Sequence, residues 1–164
     1  LDPDIICLSK SISGLGLPMA ILLVRRELDT GAPGEFTGTF RGNNLAFATS
    51  ATMLEHYWSD EETEKATEEK GLIIRTALDH MAETYGQGNF SVVGNGMLAG
   101  LNVTSGSLAT AIADEAFSRR LIVETCGTGD ATVKLLAPIV IEEDELHTGL
   151  QLLEASVAAA CIAR

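Results

Sequence analysis

The sequence predicts an α/β chain in two parts. Residues 1–86 read as the end of an open, large-domain sheet followed by a long linking helix, and residues 87–164 as a small α+β domain at the C-terminal side. Three observations predict this. Two apolar runs of strand length, Asp4-Ile5-Ile6-Cys7-Leu8 and Met19-Ala20-Ile21-Leu22-Leu23-Val24, suit strands buried on both faces, as in a parallel sheet covered by helices. Ser59-Asp60-Glu61-Glu62 is a capping box that opens a long stretch of helical periodicity. Beyond Gly86 and Gly88 short strand-like runs alternate with helical stretches, which puts the division near those glycines.

The elements follow in order. Residues 9–16 form a Gly/Ser turn carrying one lysine between the two strands. Residues 29–44 are rich in Gly, Thr and Pro and read as a long loop, a kind usually functional or disordered. Residues 45–58 are helical and apolar on most sides, which predicts a buried helix. The long helix after the capping box carries Ile74, Ala77, Leu78, Met81 and Tyr85 on one stripe, with an acidic, solvated outer face. Residues 90–93 and 97–103 read as strands around a Gly94-Asn95-Gly96 turn, and residues 108–120 as a helix. Residues 121–123, 132–136 and 139–141 read as short strands. Acids at 142–145 open the last helix, whose stripe is Leu146, Leu150, Leu153, Val157 and Cys161.

Composition bounds the function. The 164 residues are 46% hydrophobic, enough for a core and too apolar for a disordered chain. Cys7, Cys126 and Cys161 are odd in number and far apart, which fits buried thiols in a reducing cytoplasm and not a disulfide scaffold. The 23 acidic residues outnumber 11 basic ones, for a net charge of −12. That balance argues against nucleic acid and against anionic membrane surfaces as partners. No apolar run has the length of a membrane span. The chain opens Leu1-Asp2-Pro3-Asp4, without an initiator methionine or signal peptide, and enters an apolar strand at once. The expectation is a cut through a larger protein.

Three segments are candidates for chemistry. Lys10 directly follows the first strand, and ligands gather at the carboxyl ends of strands in open α/β sheets. A lysine there is either a nucleophilic amine or an ordinary solvated turn residue. Thr37-Gly38-Thr39-Phe40-Arg41-Gly42-Asn43-Asn44 sets hydroxyls and backbone N–H groups ahead of a helix. Such a segment holds a phosphate, with Arg41 adding charge, or is a plain turn and N-cap. Lys134 stands in an apolar strand, where a cation needs a carboxylate partner or an exposed edge. Gly94-Asn95-Gly96-Met97-Leu98-Ala99-Gly100 has the wrong spacing for a dinucleotide fingerprint. His56, His80 and His147 have no metal-ligand spacing, and no G-x-S-x-G elbow occurs.

Taken together, these segments resemble a known family. Pro3-Asp4-Ile5-Ile6-Cys7-Leu8-Ser9-Lys10-Ser11-Ile12-Ser13-Gly14, followed by Gly16-Leu17-Pro18-Met19, resembles the cofactor-lysine region of class III aminotransferases, pyridoxal-phosphate (PLP) enzymes of fold type I. Gly38-Thr39-Phe40-Arg41-Gly42-Asn43-Asn44 resembles the family's Thr-aromatic-x-Gly-Asn motif. The Gly94-Asn95-Gly96-Met97 turn and the strand from Lys134 to Pro138 fit its C-terminal small domain. The Ser-Lys-Ser-Ile-Ser-Gly form around Lys10, together with Arg41, Asn44, Ile122-Val123-Glu124-Thr125 and Val133-Lys134, is similar to the branch of ectoine biosynthesis that works on 2,4-diaminobutyrate and 2-oxoglutarate.

The resemblance implies a fold, a cofactor and roles. The fold is the C-terminal part of the PLP-transferase large-domain sheet, the linking helix and the small domain. Lys10 would bind PLP covalently and carry the proton between the substrate's α-carbon and C4′ of the cofactor. Thr39 would bind the PLP phosphate in the neighbouring subunit's site of a homodimer or higher homo-oligomer. Lys134 sits where many relatives hold a substrate carboxylate with an arginine, and Arg41 would line the same pocket. The substrates implied are glutamate and 2-oxoglutarate with aspartate semialdehyde and 2,4-diaminobutyrate. The alternatives are a non-catalytic truncated fragment, or another omega-amino substrate such as ornithine or 4-aminobutyrate. The family's aspartate on the pyridinium nitrogen, its ring-stacking aromatic and its Gly-rich phosphate loop belong to an N-terminal part absent from this chain, so little transamination is expected from it alone.

Overall fold

The computed structural model describes residues 2–162, in two compact units that part between Thr63 and Glu64. Leu1, where the sequence reads as a cut, lies outside the described residues.

In the first unit, β1 (Ile5–Ser9) and β2 (Ala20–Val24) form a two-stranded antiparallel ladder, with Ile5 opposite Val24 and Ser9 opposite Ala20. This corrects the parallel, doubly buried reading. An apolar run carries no information on the direction of its partner. The connection over residues 10–19 is hairpin-sized, whereas a parallel crossover needs a dozen or more residues. Ile5, Leu22 and Leu23 are each more than half exposed. Arg25 closes the open end: its N–H donates to the Asp4 carbonyl (3.0 Å), and its guanidinium pairs with Asp4 (2.9 Å) and Asp2.

A 3-10 turn, Lys10–Ser13, leaves β1, and a second, Arg26–Leu28, leaves β2. Irregular backbone then runs to α1 (Asn44–Tyr57), as the loop reading expects. Asn43 starts this helix, its side-chain oxygen accepting from the N–H groups of Leu45 (3.1 Å) and Ala46 (3.3 Å). The expectation of a buried helix fails. Only Ala46 and Ser50 are buried, while Leu45, Phe47 and Leu54 are exposed. Those small residues lie one turn apart, and the helix packs on the Lys10–Ser13 turn, a footing much narrower than a sheet.

In the second unit, α2 (Glu62–Tyr85) begins where Asp60 accepts from the Glu62 N–H (2.9 Å). Its buried stripe is Gly71, Ile74, Leu78 and Met81, and Glu62, Glu64, Glu68 and Glu69 face solvent. β3 (Ser91–Asn95) and β4 (Leu98–Asn102) form a hairpin whose two-residue link is Gly96-Met97. The turn therefore sits two residues later than the sequence suggests, with Gly94 inside the strand. Then come α3 (Gly106–Ser118), β5 (Glu124–Cys126), β6 (Thr132–Leu136) and α4 (Glu143–Ile162). The sheet order is β3-β4-β6-β5, antiparallel throughout. Leu101 and Val133 of the sheet meet Ile112 of α3, Leu153 and Val157 of α4 and Leu78 of α2 in one core.

Two expected strands are not strands. Residues 121–123 are irregular, and β5 starts just after them. Residues 139–141 lie in a turn closed by the Ile141 N–H donating to the Pro138 carbonyl (3.0 Å). Both runs are apolar for packing and not for pairing: Leu121, Val123 and Ile141 lean on the core while β6 has already ended before Pro138, which has no N–H for a ladder. The compact units part at the start of the long helix, whereas composition puts the division at its end. The stripe on α2 explains the difference, since it is buried in the second unit's core. No helix of the described residues is long and apolar enough to cross a membrane.

Candidate functional site

Lys10 is the first residue after β1. The strand aims the chain at this point, and the 3-10 turn then bends it away. Lys10 bends with a φ of 60°, in the left-handed region that non-glycine residues enter rarely. Its side chain is exposed beside a concavity lined by Ser9, Lys10, Gly16, Pro18, Met19 and Ala20. Lys70 donates to the Ile139 carbonyl, Lys134 pairs with Glu124 and Lys65 is also engaged, whereas the Lys10 amine has no partner among the described residues. An unpartnered amine at the carboxyl end of a strand fits a carbonyl-bearing ligand, and PLP is an aldehyde of that kind.

Thr39 and Arg41 lie in the loop before α1, both exposed. Arg41 is engaged within that loop. Its backbone N–H donates to the Gly38 carbonyl (3.0 Å), its guanidinium donates to the Phe36 carbonyl (2.7 Å), and it stacks 4.2 Å from the Phe36 ring centroid. The Thr39 turn is thus tied from both sides by one arginine. The foremost N–H groups of α1 at Leu45 and Ala46 already serve Asn43, so any anion held here meets the loop and the Thr39 hydroxyl, not those donors.

Lys134 belongs to the second unit, on β6, which lies between β4 and β5 and is not an edge strand. Its carboxylate partner is Glu124, directly opposite on β5, at 2.6 Å. The hydrogen bond and the attraction between the two hold Glu124 below the usual carboxylate range and Lys134 above the usual lysine value. The signs are opposite. Glu124 contributes stability above its unfolded pKa, lost as pH falls through its depressed folded value. Lys134 contributes below its unfolded pKa, lost as pH rises through its raised one. Glu124→Gln is therefore expected to lower the Lys134 titration midpoint toward that of an ordinary lysine, read by NMR at Nζ. An unchanged midpoint would show that the pair does not form in solution.

The structure brings Lys10, Thr39 and Arg41 into the first unit and leaves Lys134 in the second. Sequence reasoning missed Glu124 as the partner of Lys134, because the expected strand there stopped one residue short. It also missed Ser13 and Gly14, which pack the Lys10 turn. His80 pairs with Glu154 (3.2 Å) and His147 with Glu143 (3.5 Å). No group of metal-ligating side chains occurs among the described residues.

Comparisons with known proteins agree in one direction. The family profile described as Aminotransferase class-III matches residues 1–157. The chain is 48% identical over 159 residues to an uncharacterized aminotransferase of Sinorhizobium fredii, covering 97% of this chain and 36% of that protein. It is 45% identical to the diaminobutyrate–2-oxoglutarate transaminase of Bordetella parapertussis, covering 96% of this chain and 37% of that one. The solved N-acetylornithine aminotransferase of Stenotrophomonas maltophilia superposes with a TM-score of 0.80 at 25% identity, covering all of this chain and 42% of that one. The chain thus spans little more than a third of the length of the curated relatives it matches.

Proposed function

This chain belongs to the class-III aminotransferase family, and from that premise we propose that it is the lysine-bearing portion of a PLP-dependent transaminase. The parent moves an amino group between glutamate or 2-oxoglutarate and aspartate semialdehyde or 2,4-diaminobutyrate, in the cytoplasm, as a homodimer or higher homo-oligomer, as in ectoine formation. The observation that carries the reading is Lys10: an exposed amine in a left-handed turn at the end of β1, with no side-chain partner among the described residues. The substrate reading is supported by 45% identity to a diaminobutyrate–2-oxoglutarate transaminase.

PLP, when bound, supplies an aldehyde to condense with amines and a conjugated ring that takes up electrons released at the substrate carbon. Lys10 would hold that aldehyde through its amine. As a free amine it would be the group that moves a proton at the substrate carbon. The Thr39 hydroxyl would hold the cofactor's phosphate, in the neighbouring subunit's site. Lys134 attracts a substrate carboxylate as a point charge, and to do so it must leave Glu124. Arg41 would serve a substrate carboxylate only if its guanidinium leaves the Phe36 carbonyl. The family reading would count α2 with the large domain, to residue 86, and begin the small domain at residue 87, although the α2 stripe is buried in the second unit's core.

A second reading keeps the family and changes the amine to ornithine or a relative of it. The likeness to an N-acetylornithine aminotransferase favours it, at the lower identity of 25%. A third makes the chain a non-catalytic fragment. The deciding experiment adds PLP to the purified chain, records the visible spectrum, reduces with borohydride and maps the labelled peptide. Label confined to Lys10 is the expected result. Label scattered over surface lysines, or none, favours the non-catalytic fragment. With label at Lys10, comparing conversion of aspartate semialdehyde and ornithine by the full-length parent separates the two substrate readings.

A further inference from the structure

We propose that α1 is the positioning element for Lys10, seated against the lysine turn through Gly14 and fixed at its other end by Asn43. The proposal rests on the reading of Lys10 as the cofactor lysine. A non-glycine residue held at a φ of 60° stays there only where its surroundings over-determine it. The turn that Lys10 opens is packed on α1. Gly14 has a φ of 77°, and its N–H donates to the Ser11 carbonyl (2.9 Å), which closes the turn. A Cβ on Gly14 would lie 2.7 Å from Met53 Cβ and 2.9 Å from the Thr49 carbonyl, both on α1. Only a glycine lets the turn come this close to the helix.

Ser13 shows how the turn is held. It is fully buried, and its hydroxyl finds no partner among the described residues. A buried polar group left unpaired brings nothing by hydrogen bonding, so the turn is located by fit against the helix. Where α1 stands therefore sets the backbone at Lys10 and the direction its amine takes. The start of α1 is set in turn by Asn43, which closes the segment carrying Thr39 and Arg41. One helix registers the lysine turn and the Thr39 loop against each other.

The test is made on the full chain, with Gly14→Ala, Asn43→Ala and Asn43→Asp. One readout is the ratio of borohydride-trapped PLP on Lys10 to that on Lys70, which belongs to the second unit. The other is amide hydrogen exchange at position 14, with the β1–β2 ladder amides as reference. Both alanine variants are expected to lower the labelling ratio by roughly threefold or more and to speed exchange at position 14, with ladder exchange unchanged. Asn43→Asp keeps the capping oxygen and is expected to restore the parent values. If Asn43→Ala leaves both readouts at the parent level, or speeds the ladder amides equally, the positioning role is wrong and Gly14 is local packing. Should Gly14→Ala fail to fold, the two Asn43 variants decide alone. If the parent traps no PLP at Lys10, the proposed function fails, and exchange at position 14 still judges the role of α1.

Discussion

Lys10→Ala is expected to abolish the trapped PLP adduct in that peptide, since alanine offers no amine to condense with the aldehyde. Borohydride fixes a cofactor only where a carbon–nitrogen double bond has formed, so phosphate contacts from Thr39 cannot replace the amine. Lys10→Arg is the sharper variant. It keeps the charge, but a guanidinium stays protonated and cannot condense with an aldehyde, so label should vanish there as well. If the arginine variant retained label in the same peptide, the nucleophile would lie elsewhere. The other lysines set the contrast. Lys70 donates to the Ile139 carbonyl (3.0 Å), and Lys134 is kept in its ammonium form by Glu124. Glu124→Gln should therefore raise stray label on Lys134 while leaving Lys10 as the main site. Selectivity among the lysines then follows from which amines are already taken.

How much of this was legible in the sequence depends on the kind of signal. Elements announced by local chemistry stand in the structure: a helix start near Ser59-Asp60-Glu61-Glu62, though at Glu62 with Asp60 and not Ser59 as the capping acceptor, the α2 stripe from Ile74 to Tyr85, the strand from Thr132 to Leu136, and the last helix with its acidic opening. Apolar runs without periodicity were misread. Residues 4–8 and 19–24 gave strands but not their antiparallel pairing, because a continuous run does not encode its partner's direction. Residues 121–123 and 139–141 looked like strands, yet Leu121, Val123 and Ile141 pack their side chains while their backbones leave the ladder. The burial of α1 was overread for a related reason: its apolar faces have no wide surface among the described residues to rest on.

The candidate site divides the same way. Lys10 and Thr39 stand out through motif and family resemblance, which concern residue identity. What holds them does not show in a string. Gly14 is one of sixteen glycines, and its closeness to Met53 and Thr49 exists only once the chain returns as α1. The link between Glu124 and Lys134 likewise needs the register of β5 on β6. Contacts between residues far apart in sequence carry the support, and the sequence names only the groups supported.

Leu78→Ala is expected to cost the second unit about 2–5 kcal/mol, the range for truncating a large aliphatic side chain in a close-packed core. Leu78 is fully buried on α2, on the stripe with Ile74 and Met81, and shares a core with Leu101, Val133, Ile112 and Val157. Sheet strands and helices meet around it, which limits collapse into the cavity left behind. Gly71, two turns earlier, tests the same docking in the opposite sense. Alanine there gains about 1 kcal/mol of helix propensity, but its Cβ would sit 2.7 Å from the Gly96 Cα. The obstacle is backbone in the β3–β4 turn and cannot rotate away, so overpacking of about 1–3 kcal/mol should outweigh the propensity gain. Amide exchange at Leu101 and Val133 reads both variants from inside the second unit, without assuming that the two units unfold together. Leu78→Ala should speed exchange there strongly, and Gly71→Ala less so. If Gly71→Ala instead slowed exchange, α2 would not be seated on the hairpin as closely as the structure has it. If Leu78→Ala changed nothing, the long helix would have to be assigned to the first unit, where the sequence's own punctuation at Gly86 and Gly88 puts it.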